Sequence, residues 1–398
     1  MVAAVVGPGP AAANYGTFNS PYVSLTICQP GTSTCGTIDN VLIDTGSSGL
    51  RIFASVLAAA GLNLPVTVDP TDSQNTIAEC LSFVDGYVWG AVATGKLQLG
   101  GETATNLSIN VIDDNNSYAP TVPTACTTQT VNTSLNSVAD FQANGVMGVG
   151  VYAQDCGEGC ATCSLASGGC TSSNDIYYSC NGTSDTCTPT QVALNKQVVN
   201  PVTLFATDNN GVILQFPAFP THGGALTSTG SLIFGIGTQS NNAIGTAFVL
   251  AVDGASFFTS TFNSTAYNSS FIDSGSNAYF LTDNLKTCGT SAPENEFYCP
   301  TTLQTLMAVN QGHLANGILT GTTSPVTFYI GNLNAISDTD FAIDDAGGTA
   351  ATSSGTSTLS NDVDFGFPFF YGRKVFTAIQ DAPYGPLGSG PTGPYYAY

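Results

Sequence analysis

One short pattern occurs twice in the chain, and it constrains the fold more than anything else in the sequence. Val41-Leu42-Ile43-Asp44-Thr45-Gly46-Ser47-Ser48-Gly49-Leu50 runs apolar residues into an acid, a hydroxyl and a glycine, which reads as a buried strand ending in a tight loop. Phe271-Ile272-Asp273-Ser274-Gly275-Ser276-Asn277-Ala278 repeats it in the second half. Two copies of so unusual a loop imply a duplicated unit. A second pair agrees: Asn144-Gly145-Val146-Met147-Gly148-Val149-Gly150 follows the first acid, and Asp364-Phe365-Gly366-Phe367-Pro368-Phe369-Phe370 follows the second at a similar interval. Each half is therefore expected to hold an Asp loop with a later apolar-Gly strand packed beside it.

The 398 residues exceed what one hydrophobic core serves, so two lobes are expected. Short runs of Val, Ile, Phe, Tyr and Thr separated by Gly, Asn, Asp, Ser and Pro point to mostly β structure. We divide the chain into an N-terminal lobe, 1–245, carrying Asp44, and a C-terminal lobe, 246–398, carrying Asp273. Residues 151–190, with six cysteines and little apolar content, read as a disulfide-pinned surface insertion of the first lobe. The helix candidates are Thr190–Val199 and Leu303–His313, the latter with Leu303, Leu306, Met307 and Leu314 on one face.

With 27 acidic against 6 basic residues and a net charge of −21, nucleic acid and anionic membranes are poor partners. No run of about 18 apolar residues suggests a membrane span. Twelve cysteines in local pairs argue for disulfides and an oxidising, secreted or periplasmic location. The pairs drawn are Cys28 with Cys35, Cys80 with Cys126, Cys180 with Cys187, and Cys288 with Cys299. Cys156, Cys160, Cys163 and Cys170 have zinc-like spacing; disulfides and a metal site both remain open there, with disulfides favoured because no His lies nearby. The first ten residues lack the basic and long apolar regions of a signal peptide.

Asp44-Thr45-Gly46-Ser47, paired with Asp273-Ser274-Gly275-Ser276, resembles the two active-site loops of pepsin-like aspartic peptidases. Gly230-Ser231-Leu232-Ile233-Phe234-Gly235-Ile236-Gly237 and Val375-Phe376-Thr377-Ala378-Ile379 resemble later strands of that family, so the likeness covers roughly residues 17–380 outside the cysteine-rich stretch. Gln239-Ser240-Asn241-Asn242-Ala243 also resembles a bacterial group of exported proteins of unknown function. The family resemblance implies a bilobal acid protease fold, two related β-barrel-like lobes with a central cleft, and an exported endopeptidase that needs no metal or other cofactor. Polypeptide with bulky apolar side chains would be its substrate, bound between the lobes. Asp44 and Asp273 would form the catalytic dyad, Thr45 and Ser274 would brace the loops, and Ser47 and Ser276 would hydrogen-bond the outer carboxylate oxygens. Chemistry explains the pairing: two adjacent carboxylates cannot both ionise cheaply, so they share a proton. One then activates water while the other hydrogen-bonds the developing oxyanion.

The chain departs from the family where a Trp usually supports a flap Tyr. Arg51 and Phe83 occupy those positions, and the flap is expected at 83–90, with Phe83, Gly86, Tyr87 and Trp89 as its substrate-facing or supporting residues. Either Trp89 or Tyr87 takes over flap support, or activity is lost and the scaffold serves binding. Arg51 either lowers the pKa values of the dyad or pairs elsewhere. The alternative function is a non-catalytic extracellular binding or assembly protein, in which the aromatic end Tyr395-Tyr396-Ala397-Tyr398 docks on another subunit; a packed C-terminal strand is the plainer reading of that end. His222 and His313 sit in no recognisable catalytic motif.

Overall fold

The computed structural model describes residues 1–13, 17–127, 133–163, 176–291, 294–314, 317–350, 362–386 and 390–398. The protein is mostly β and bilobal, and the duplication seen in the sequence is a duplication of strand topology. In the first half the strand Cys35–Asp44 pairs parallel with Gly145–Val149, matching Leu42 to Val146 and Asp44 to Gly148. Gly145–Val149 then pairs antiparallel with Ser48–Phe53, which pairs parallel with Glu102–Ile112. In the second half Thr265–Ile272 pairs parallel with Asp364–Phe365, matching Phe271 to Asp364. Asp364–Phe365 pairs antiparallel with Tyr279–Leu281, which pairs parallel with Gly347–Thr349. Both halves thus place an apolar-Gly strand between the strand that enters the Asp loop and the strand that leaves it.

The first half closes on itself. Glu102–Ile112 pairs with Tyr87–Leu99, which returns to Pro21–Cys28, itself paired with Cys35–Asp44. Ile27, Val41, Ile43, Leu50, Ile52, Leu97 and Ile109 fill that barrel, all fully buried. The second half is a seven-stranded sheet whose core is aromatic, with Phe258, Phe328 and Phe369 each in ring contact with Phe365. Six antiparallel strands join the halves: Val2–Val6, Ser228–Phe234, Gly211–Gln215, Lys374–Ala378, Tyr395–Ala397 and Val249–Ala251. Both chain ends therefore lie in one sheet, and Tyr395, Tyr396 and Ala397 are almost wholly buried. The aromatic end is a packed strand and offers no docking tail.

Several expectations are corrected. Leu303–His313 is not a helix: Gln304–His313 is a strand paired with Leu319–Ile330 and with Phe258–Phe262. Of Thr190–Val199 only Leu194–Lys196 is helical, as a single 3-10 turn. The cysteine-rich stretch is more than a surface insertion, because Tyr177–Asn181 pairs with Asp72–Ser82, matching Tyr177 to Glu79. That pairing buries Tyr177, Tyr178 and Cys180.

All four drawn disulfides form, and Cys156 bonds Cys160. Cys163 is also in a disulfide, while Cys170 lies outside the described residues. Disulfides in this number belong to an oxidising environment. Among the described residues no helix is long and apolar enough to cross a membrane.

Candidate active site

Asp44 is the last residue of its strand and Asp273 follows directly on the strand Thr265–Ile272. The sharp turn after each acid aims backbone donors at it: Gly46 N–H donates to Asp44 Oδ1 at 2.8 Å and Gly275 N–H to Asp273 Oδ1 at 2.7 Å. The Ser47 hydroxyl donates to Asp44 Oδ2, and Ser276 to Asp273 Oδ2 at 2.9 Å. The loops also lock each other. Thr45 N–H donates to Ser274 Oγ at 3.0 Å, and Ser274 N–H to Thr45 Oγ1 at 2.9 Å. The same hydroxyls donate back across the pair, Ser274 to Ile43 O at 2.8 Å and Thr45 to Ile272 O at 3.4 Å. All eight loop residues singled out in the sequence therefore meet, with approximate two-fold symmetry.

The carboxylates are held against one another by what the loops lack. A Cβ on Gly46 would stand 2.6 Å from the Asp273 carboxyl carbon. One on Gly275 would stand 2.8 Å from Asp44 Oδ1 and 3.2 Å from Asp273 Oδ1. Both acids thus face a single point, and only glycine leaves it free. Desolvation pushes the Asp273 carboxyl well above the ordinary range, helped by the charges of Asp44 and Asp364 and by hydrogen bonding with Asp44.

Two cavities meet at this pair. One, of about 470 Å³, is walled by Leu42, Phe141, Val146 and Phe280. The other, of about 510 Å³, is walled by Tyr152, Phe257, Phe271 and Tyr396. Asp44, Asp273, Phe83 and Val84 line both, so the tip of the hairpin stands over the acids between the two spaces. That tip is a tight turn in which Phe83 N–H donates to Gly86 O at 2.7 Å. Tyr87 and Trp89 are not in the cleft. They pack behind the hairpin, where the Trp89 indole donates to Pro120 O at 2.9 Å and meets Tyr178 edge-on at 5.4 Å. The indole therefore backs the hairpin and lines neither cavity.

Arg51 pairs away from the dyad. It is fully buried, with Nη2 at 2.7 Å from Glu79 Oε1 and 2.8 Å from Asp155 Oδ2. This ties the Asp44 loop to the hairpin strand and to the cysteine-rich stretch, in place of a Trp–Tyr contact.

Two cleft residues escaped the sequence reading. Asp364, 2 % exposed, lines the first cavity; comparing Val146-Met147-Gly148 with Asp364-Phe365-Gly366 would have exposed an acid where the first copy has Val. Tyr396 lines the second cavity, a position only tertiary structure reveals. His222 pairs with Asp344, and His313 bridges Asp253 and Thr259. The Thr259 hydroxyl is buried and donates to Asn268, so no nucleophile is presented there.

The solved structure of an aspartic proteinase from Irpex lacteus is similar at 16 % identity, with a TM-score of 0.44, covering all of this chain and 95 % of that one. No curated protein matches the sequence. The family model described as "Protein of unknown function (DUF3443)" matches residues 1–398, and the chain belongs to that family.

Proposed function

We propose that the protein is an exported aspartic-type endopeptidase, its lobes divided near residue 245 and Asp44 and Asp273 its catalytic pair. The observation that carries this reading is the reciprocal brace of Thr45 and Ser274, which sets both carboxyls on one point with every supporting hydroxyl and amide in place. Such a pair holds one proton between two acids. The ionised partner takes a proton from water as it attacks a peptide carbonyl, and the protonated partner donates to the oxyanion that forms. Burial favours Asp273 as the proton's holder. Phe83 and Val84 would close over an extended polypeptide lying through both cavities.

Hydrolysis of denatured protein between about pH 2 and 7 tests the reading, with wild type beside Asp44→Asn and Asp273→Asn. New peptide termini from wild type alone would support it; equal cleavage by all three would remove it. The binding-protein alternative loses one of its supports, since the aromatic end that was to build assemblies is buried; the altered flap support that also motivated it is unaffected.

A further inference from the structure

The cleft is charged on one side of the balance only. Among the described residues, every side chain with a formal charge that lines its two cavities is acidic, including Asp85, Asp140, Glu296, Asp362 and Asp364 beside the central pair. An acidic lining alone marks no site, but Asp364 differs from the rest. Its strand pairs laterally with Phe271 and with Phe280, and residues paired across a sheet share a face. Phe271 and Asp273, two apart, share that face as well, so the Asp364 side chain stands beside the dyad on the cleft side.

The first half shows what this position holds when it is apolar: Val146, matched to Leu42, both lining the first cavity. Asp364 puts a carboxyl in the equivalent place, 2 % exposed, with Oδ1 buried and lacking any hydrogen-bond partner. The Ser276 hydroxyl, which bonds to the Asp364 carboxyl, is shared with Asp273. A buried carboxyl oxygen without a partner is destabilising, and among the described residues no Lys, Arg or His lines either cavity to relieve it.

We propose that Asp364 is a specificity-determining residue whose carboxylate receives the ammonium or guanidinium of a Lys or Arg in a polypeptide bound across Asp44 and Asp273. The inference rests on the peptidase reading and replaces its expectation of purely apolar preference. Leu42, Val146 and Phe141 would take an apolar side chain on one wall, while the wall beside Asp273 takes a cation. A charge-assisted hydrogen bond to a desolvated carboxylate corresponds to roughly tenfold or more in affinity.

The test is calorimetric binding of neutral hydroxyethylene-isostere peptides, which cannot be cleaved, with Lys or norleucine placed in turn at each position flanking the isostere. Wild type should bind one Lys peptide roughly tenfold or more tightly than its norleucine twin. Asp364→Val, which copies Val146, should bring that ratio to about one, and Asp364→Asn should lower it without changing the shape of the site. A ratio unchanged in both variants, or binding by wild type with no Lys preference at any position, overturns the inference and leaves the peptidase reading standing. Failure of wild type to bind any of the peptides overturns both.

Discussion

Replacing Arg51 by Met tests whether a buried ion cluster supports the hairpin over the cleft. Nη2 contacts Glu79 and Asp155 at 2.7 and 2.8 Å, and Nη1 donates to Ser48 O at 2.9 Å. Tyr177 donates its hydroxyl to Asp155 Oδ1 at 2.8 Å, and Glu79 Oε2 accepts no hydrogen bond among the described residues. Met fills much of the volume but leaves two carboxyls buried side by side. Breaking a buried ion pair costs about 3–5 kcal/mol, and with two acids exposed to each other the upper end applies at neutral pH.

The pH dependence follows from Asp155. Burial and the charge of Glu79 already hold its carboxyl well above the ordinary range, opposed by Arg51. Without the guanidinium, which opposes that rise, the Asp155 carboxyl goes higher still. A raised folded-state pKa gives stability that is present in acid and lost as pH rises through it, so the variant's deficit should be large at pH 7 and less than half as large at pH 4. Denaturant unfolding followed by the fluorescence of Trp89, the single Trp, reads the first lobe directly. An unmoved midpoint at pH 7, or a deficit equal at the two pH values, would refute the reasoning.

Gly46→Ala should reduce peptide cleavage roughly a hundredfold or more, because its methyl would lie 2.6 Å from the Asp273 carboxyl carbon and displace it; circular dichroism should show an intact fold, and unaltered kcat/KM would count against the shared point. Burial, joined by the charge of Asp344, raises Asp345 to about 6, and burial raises Asp362 to about 6. Each binds more protons folded than unfolded between those values and the ordinary carboxylate range, so Tm should rise as pH falls from 7 to 4.5, and Asp345→Asn with Asp362→Asn should flatten that rise. Deleting residues 395–398 removes a strand paired on both sides, with Lys374–Ala378 and with Val249–Ala251; unfolded or aggregated protein is expected, and a well-folded product with altered oligomer size would revive the assembly reading.

The parts of the fold legible in the sequence were those written locally. Each Asp loop declares itself by apolar residues leading into acid, hydroxyl and glycine, and its companion strand by a second apolar-Gly run. Four disulfides could be drawn because their partners are close in sequence or isolated from other cysteines. The helix expected at Leu303–His313 failed because Leu303, Leu306 and Met307 mimic a helical stripe, whereas burial alternates through Ala308, Asn310 and Gly312 and leaves Leu303 and Met307 exposed. Partners distant in sequence left no local trace. Arg51 finds Glu79 and Asp155 only once three elements pack together, and Tyr396 reaches the cleft only because the last strand enters the sheet that joins the lobes. Asp364 was visible in a motif but was read for the glycine beside it.

The central claim, that Asp44 and Asp273 act as one unit on a peptide bond, is tested most directly by kcat/KM on a single unfolded polypeptide for wild type, Asp44→Asn, Asp273→Asn and the double variant. Groups that work as a unit fail together, so each single variant should lose at least about a thousandfold, and the double variant should be no worse than either. Losses that multiply in the double variant, or a single variant that keeps more than about a tenth of wild-type activity, would contradict the account.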